Sequence, residues 1–249
     1  MDTRESPANH SLEIQLGAAK VPRYATSISG DTLEMIERPQ GGISAVLVDG
    51  QRSGRSARII SNIVARKAIS LLGEGVRDGA AVRATHDYLR THRGGQVSAE
   101  LQMVSVDLVT QTLVISRNAR CPSYIWSDGT LDVLVNDSEP IGIYDNTKPS
   151  IVELPLAPWV YVVSCTDGLG EAFETGQRSD LPTALNQLLA ARPTAQDLAD
   201  SLLSSALERQ DGRPHDDVSV LVVAVLPNSP PNRVRRLSAR FPVPPQTHV

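Results

Sequence analysis

Ile43-Ser44-Ala45-Val46-Leu47-Val48-Asp49-Gly50 is the stretch on which the fold turns. From Ile43 to Val48 it is almost continuously apolar, as a central strand covered on both faces must be. It then ends abruptly on a carboxylate and a glycine. Upstream, residues 33–37 form a second strand pattern, joined to the first through the turn Pro39-Gln40-Gly41-Gly42. Further back, residues 11–28 are strand-like, with Leu12, Ile14 and Leu16 alternating with polar neighbours until Ser29-Gly30-Asp31 interrupts them. Downstream the period changes. Ile59, Ile60, Ile63, Val64, Lys67 and Leu71 share one helical face over residues 53–72, with Gly73 as the stop, and residues 77–92 predict a second helix before Arg93-Gly94-Gly95.

The remainder supplies strands at residues 101–108, 112–116, 124–126, 131–135, 151–154, 160–165 and 218–226, and helices at 180–191 and 195–210. Asp128-Gly129, between two of these strands, is a tight-hairpin signal. Strand runs and helix runs are segregated, which predicts an α+β sandwich rather than an alternating parallel sheet. The 249 residues, 41% hydrophobic and 21% charged, suffice for one folded domain over residues 11–226. Residues 1–10 are polar and expected to be disordered. Residues 227–249 form a proline-rich tail carrying Arg233, Arg235, Arg236 and Arg240, expected to be extended or mobile. A net charge of -4 argues against a general nucleic-acid binder. Neither a signal peptide nor an apolar stretch long enough for a bilayer is present, so the expectation is a cytoplasmic protein with no membrane association. Cys165, within an apolar strand, is expected to be a small buried hydrophobe, and neither it nor Cys121 has the surroundings of a nucleophile.

Chemistry gathers at element boundaries. Asp49 follows one apolar strand, Asp167 follows another in Thr166-Asp167-Gly168, Asp216-Asp217 precede Val218, and Asp31 closes Ser29-Gly30-Asp31. Carboxylates at the ends of rigid strands can converge, and a convergent group repels itself unless a cation is present. Oxygen-only ligands select hard ions such as Mg²⁺ or Mn²⁺. Asp-Gly alone is also a common turn dipeptide, and Asp128-Gly129 is expected to be no more than that.

In chain order, Ser29-Gly30-Asp31, Val48-Asp49-Gly50 with Ser53-Gly54, Asn118-Ala119, Glu139-Pro140-Ile141-Gly142, Thr166-Asp167-Gly168 with Glu171-Ala172, and Asp216-Asp217-Val218-Ser219 resemble the protein phosphatase 2C superfamily. The resemblance is to its bacterial branch typified by the stage II sporulation E phosphatase domain, and it runs from about Ser11 to Leu226. It implies an αββα sandwich, two antiparallel sheets flanked by helices, with two divalent cations, Mn²⁺ or Mg²⁺, at one edge. Asp49 would bridge both metals, the Gly50 carbonyl would hold one, and Asp31, Asp167 and Asp216 would complete the set. The implied activity is hydrolysis of phosphoserine or phosphothreonine on a regulatory protein, such as an anti-sigma-factor antagonist, by a metal-activated water without a phosphoenzyme.

The chain departs from the superfamily at three points. Gln51 stands where eukaryotic members carry a histidine, leaving the general acid unnamed. Asn118-Ala119-Arg120-Cys121-Pro122 replaces the frequent Asn-Ala-Gly-His-Pro, and Arg52 stands where glycine is frequent. His215 is expected to be a loop histidine, His86 to be on a helix surface or in packing, and Asp217 to be outside the ligand set or exposed. The helices at residues 53–72 and 77–92 correspond to a regulatory switch in the sporulation branch. With no sensor domain ahead of Ser11, input is expected from a regulatory partner or from homodimerisation. A catalytically weak pseudophosphatase that binds proteins, and a hydrolase of small phosphorylated metabolites, are the alternatives.

Overall fold

The structure, a computed structural model, describes residues 11–135, 138–175 and 178–243. The expected disorder of residues 1–10 and the last six residues of the tail lie outside the described residues.

In chain order the elements are β1 (Leu12–Val21), β2 (Thr32–Glu37), β3 (Gly42–Gly50), α1 (Gly54–Gly73), α2 (Asp78–Arg93), β4 (Ala99–Asp107), β5 (Thr112–Asn118), β6 (Ser123–Ser127) and β7 (Thr130–Leu134). There follow β8 (Ser150–Pro155), β9 (Val160–Cys165), α3 (Asp167–Ala172), β10 (Glu174–Thr175), β11 (Arg178–Ser179), α4 (Leu181–Leu189), α5 (Ala195–Arg209) and β12 (Val218–Pro227). Two five-stranded sheets, ordered β1-β12-β9-β6-β7 and β2-β3-β4-β5-β8, face each other, and every pairing is antiparallel. β10 and β11 form a separate ribbon.

The layers follow from side-chain alternation. On β3, Val46 and Val48 pack with Ile60, Val64 and Leu72 of α1, while Ala45 and Leu47 meet Leu221 of the opposite sheet. On β12, Val218, Val220, Val222 and Ala224 pack with α4 and α5, while Val223 and Val225 join Val104, Val106, Leu113 and Ile115 between the sheets. Two-sided burial is why these strands lack polar alternation. The result is helices α1 and α2, sheet, sheet, then helices α4 and α5.

Three local features refine the sequence expectations. The first strand stops at Val21 rather than running to Ile28, because Pro22 brings no N–H to the ladder. The two-residue loop Asp128-Gly129 joins β6 to β7 with φ of 51° and 79°, the doubly left-handed turn that matches strand twist. α3, only six residues long, was not anticipated. Residues 228–243 have no regular element, and Arg235 of this tail pairs with Glu37 at 2.6 Å.

Candidate metal centre

At one end of the sandwich the filling between the sheets changes from apolar to acidic. Asp31 follows the facing parity of Leu33, and Asp49 that of Ala45 and Leu47. Asp31 is buried, and its Oδ2 accepts hydrogen bonds from Ser219 Oγ at 2.6 Å and Thr166 Oγ1 at 3.1 Å, both from the opposite sheet's end. Its backbone is held as firmly. Lys20 Nζ and Arg58 of α1 donate to the Asp31 carbonyl, and Ser61 donates to that of Gly30. The helix following Asp49-Gly50 therefore grips the loop that carries Asp31.

Close approach explains two of the glycines. A Cβ at Gly50 would lie 2.1 Å from the Ala57 carbonyl oxygen of α1, and one at Gly168 would lie 2.3 Å from the Asp217 carbonyl oxygen. Each Asp-Gly pair thus places its carboxylate where backbone crosses backbone. By contrast Arg52, exposed in the following turn, has a left-handed φ of 77°. That conformation costs an L-residue about 1–2 kcal/mol and costs glycine little. Arg52→Gly is therefore expected to stabilise the protein by about 1 kcal/mol in urea unfolding. An unchanged or lowered midpoint would instead show that the arginine side chain makes a compensating contact.

Asp167 is the first residue of α3 and Asp216 leads into β12, its Oδ1 accepting the N–H of Asp217 at 2.7 Å. Electrostatics couple the members of the group through mutual repulsion. Burial pushes the Asp49 carboxyl up to about 9, and the charges of Asp31, Asp167, Glu100 and Asp216 push it the same way. Burial lifts Asp31 to about 7 against the pull of the Ser219 and Thr166 hydroxyls, with Asp217 adding to the rise. Asp167 is exposed as a residue, but its carboxyl lies at the crowded end, where shielding from water and then Asp216 raise it. Among the described residues, no three His, Cys, Asp or Glu side chains close into a metal-binding group as they stand. The donors are all oxygen and are gathered at one edge, which suits a hard divalent ion. Their mutual repulsion opposes closer approach without one.

These shifts make the metal-free protein sensitive to pH. The folded carboxyls titrate at about 7 and about 9, above the ordinary value of roughly 4 for an unfolded aspartate. The folded state then holds more protons than the unfolded state across that window, so stability falls as pH rises. In chelator, the melting temperature is expected to drop between about pH 4 and pH 9. Divalent ions are expected to flatten that slope, and a chelated melting curve that rises over the range would contradict the arrangement.

Asp217 is buried rather than exposed. Its Oδ1 accepts the Arg23 N–H at 2.9 Å and its Oδ2 the Gly30 N–H at 2.6 Å, tying the loop before Asp31 to the start of β12. Asn118 Nδ2 donates to the Glu139 carbonyl at 2.8 Å, so the Asn118-Ala119 and Glu139-Pro140 motifs are one structural unit. His86 is buried in packing, its Nδ1 accepting the Gly142 N–H at 3.1 Å, while His215 is exposed. Cys121 and Cys165 are free and buried with their sulfurs 3.5 Å apart, and their mutual hydrogen bond and burial push the Cys121 thiol well up. Sequence reasoning missed Glu100. It pairs directly with Asp49 across β3 and β4, a neighbour revealed only by the strand register.

This architecture is that of the protein phosphatase 2C domain. It superimposes with a TM-score of 0.76 on the phosphatase domain, with a fragment of the regulatory domain, of the cell-fate determinant SpoIIE from Bacillus subtilis, at 22% identity, covering 88% of this chain and 65% of that one. The catalytic domain of the serine/threonine protein phosphatase PstP, solved with two manganese ions, gives a TM-score of 0.65 at 17% identity, covering 87% of this chain and all of that one. The family model for stage II sporulation protein E matches residues 39–226, and the chain belongs to that family. It is 22% identical over 220 residues to stage II sporulation protein E of Bacillus subtilis and 20% identical over 219 residues to that of Priestia megaterium. Those matches cover 88% and 87% of this chain but 27% and 37% of the relatives, so the chain spans about a quarter to a third of their length. Among the described residues no helix is long and apolar enough to cross a membrane.

Proposed function

We propose that the protein is a metal-dependent serine/threonine phosphatase acting on a phosphorylated regulatory protein. The observation that carries this reading is the gathering of four carboxylates at one edge of the sandwich: Asp49 at the end of β3, Asp167 at the start of α3, and Asp31 and Asp216 in the loops entering β2 and β12, the other three all bearing on Asp49. Asp31, Asp49, the Gly50 carbonyl, Asp167 and Asp216 would hold two Mn²⁺ or Mg²⁺ ions. Such ions acidify a water and draw charge from phosphoryl oxygens. The chain's own part is to fix the carboxylates on strand ends. Thr166 and Ser219 orient Asp31, and Asp217 with α1 clamps the loop that bears it. The manganese-bound phosphatase of the same fold supports the choice of ion.

An anti-sigma-factor antagonist is the proposed kind of substrate, from the family alone. Regulation through α1 and α2, by a partner or a second copy, is supported by the contacts of α1 with Gly30 and Asp31, since moving that helix would move a carboxylate of the site. Gln51 in place of a histidine and the altered Asn118-Ala119-Arg120-Cys121-Pro122 favour a second reading, a catalytically weak relative that binds proteins. Hydrolysis of para-nitrophenyl phosphate and a phosphoserine peptide with Mn²⁺, Mg²⁺ or chelator separates them. Turnover only with metal is expected. A folded protein that binds Mn²⁺ but turns over neither compound would favour the second reading, and one that binds no metal would sink the first.

A further inference from the structure

We propose that Glu100 is a further oxygen ligand of the divalent-metal centre, contributed by β4, which carries none of the aspartate motifs. The inference rests on the phosphatase reading above. Glu100 is the direct antiparallel partner of Asp49. Directly paired residues project to the same face, with Cβ atoms about 4.5–5.5 Å apart. That face is the one between the sheets. Gln102, two residues on, donates from Nε2 to the Cys165 carbonyl of the opposite sheet at 2.6 Å, and Val104 and Val106 lie in the inter-sheet core. Glu100 is therefore the point on β4 where the buried filling ends and the acidic edge begins.

Two carboxylates opposite each other in a sheet repel, and a fold gains nothing from them without a cation. Here Glu100 adds its charge to Asp49 and feels that of Asp167, so it lies within reach of two different strand ends. One side of the group is engaged. Its Oε2 accepts the Cys121 N–H at 3.4 Å, the Arg120 N–H also donates to it, and the positive charges of Arg117 and Arg120 are nearby. An ionised carboxylate offers about four acceptor sites, so oxygen capacity remains for an ion. The turn Asn118-Ala119-Arg120-Cys121, the segment that departs from the family pattern, is thus the one that steadies this carboxylate.

Glu100→Gln tests the assignment in the full chain. The variant keeps side-chain volume and an oxygen that can accept the Arg120 and Cys121 N–H groups, but loses the charge. Mn²⁺ binding by calorimetry is expected to weaken by about tenfold or more. In chelator the variant is expected to melt no lower than wild type, because a repelling charge is gone, while Mn²⁺ raises its melting temperature less. Superimposable Mn²⁺ isotherms would overturn the inference. So would a lower melting temperature in chelator, whatever the affinity, since that marks Glu100 as a strut for the turn. Asp49→Asn run alongside separates the two levels. If Asp49→Asn loses Mn²⁺ and Glu100→Gln does not, only the role of Glu100 fails; if wild type binds no Mn²⁺, both readings fail.

Discussion

Asp49→Asn is expected to lower metal-dependent hydrolysis of para-nitrophenyl phosphate by about a thousandfold or more, with the fold intact. Asn preserves the shape of the side chain and removes the charge at the centre of the carboxylate group. Four acidic neighbours bear on this one position. After burial, the charges of Asp31, Asp167, Glu100 and Asp216 each raise its carboxyl, so it sits among the other candidate ligands. Stabilisation of transition-state charge by a bound metal amounts to several kcal/mol, and about 1.4 kcal/mol corresponds to each factor of ten in rate. On the proposed reading, losing this ligand should forfeit most of that. Folding should respond in the opposite direction. A buried carboxylate surrounded by like charges is a burden without metal, so the variant should melt higher than wild type in chelator. Steady-state rates with saturating Mn²⁺, paired with thermal melts in chelator, check both signs. Activity within tenfold of wild type would remove Asp49 from the centre of the site.

The parts of this molecule that are legible in the sequence are those with strong periodic patterns. β3, β9 and β12 are apolar on both faces because each is sandwiched between a helical layer and the other sheet, and such runs stand out without knowledge of their partners. α1 is legible as a helix, but its buried stripe runs through Ile60, Val64, Ala68 and Leu72, whereas Ile59 of the expected face is exposed and Ile63, Lys67 and Leu71 are half-buried. The aspartates are visible because each interrupts or borders such a run. What stays hidden depends on pairing across the chain. Glu100 reads as an ordinary polar residue at a strand start until the register sets it against Asp49. Asp217 looks like a solvated neighbour of Asp216 until the loop from Pro22 to Asp31 folds over it. α3 is too short to show a period, and its first residue is already occupied by the Asp-Gly signal.

Asp217 yields the largest expected loss of stability. Its two carboxylate oxygens accept the backbone N–H groups of Arg23 and Gly30, and the side chain is buried. Alanine would leave the buried Gly30 N–H without a partner, at about 1–3 kcal/mol, while the part-buried Arg23 N–H can turn to water at smaller cost. One opposing effect must be weighed, because the charge of Asp217 also raises Asp31 and its removal relieves that repulsion. With Asp31 already lifted to about 7, it is partly protonated at neutral pH and the relief is correspondingly small. The lost hydrogen bonds should win, leaving a net destabilisation of about 2 kcal/mol. For a domain of this size that corresponds to a fall of roughly 6 °C in melting temperature. Metal binding should weaken with it, since the Ser29-Gly30-Asp31 loop then keeps its ties to α1, Lys20, Thr166 and Ser219 but loses the one on the Gly30 N–H. Asp217→Asn is the sharper control. It keeps one accepting oxygen but turns an amide NH₂ toward the other N–H, so it should lie nearer to alanine than to wild type. Urea unfolding and Mn²⁺ calorimetry on both variants would decide the matter. A stable alanine variant with normal metal affinity would show that the β1–β2 loop holds Asp31 in place without this carboxylate.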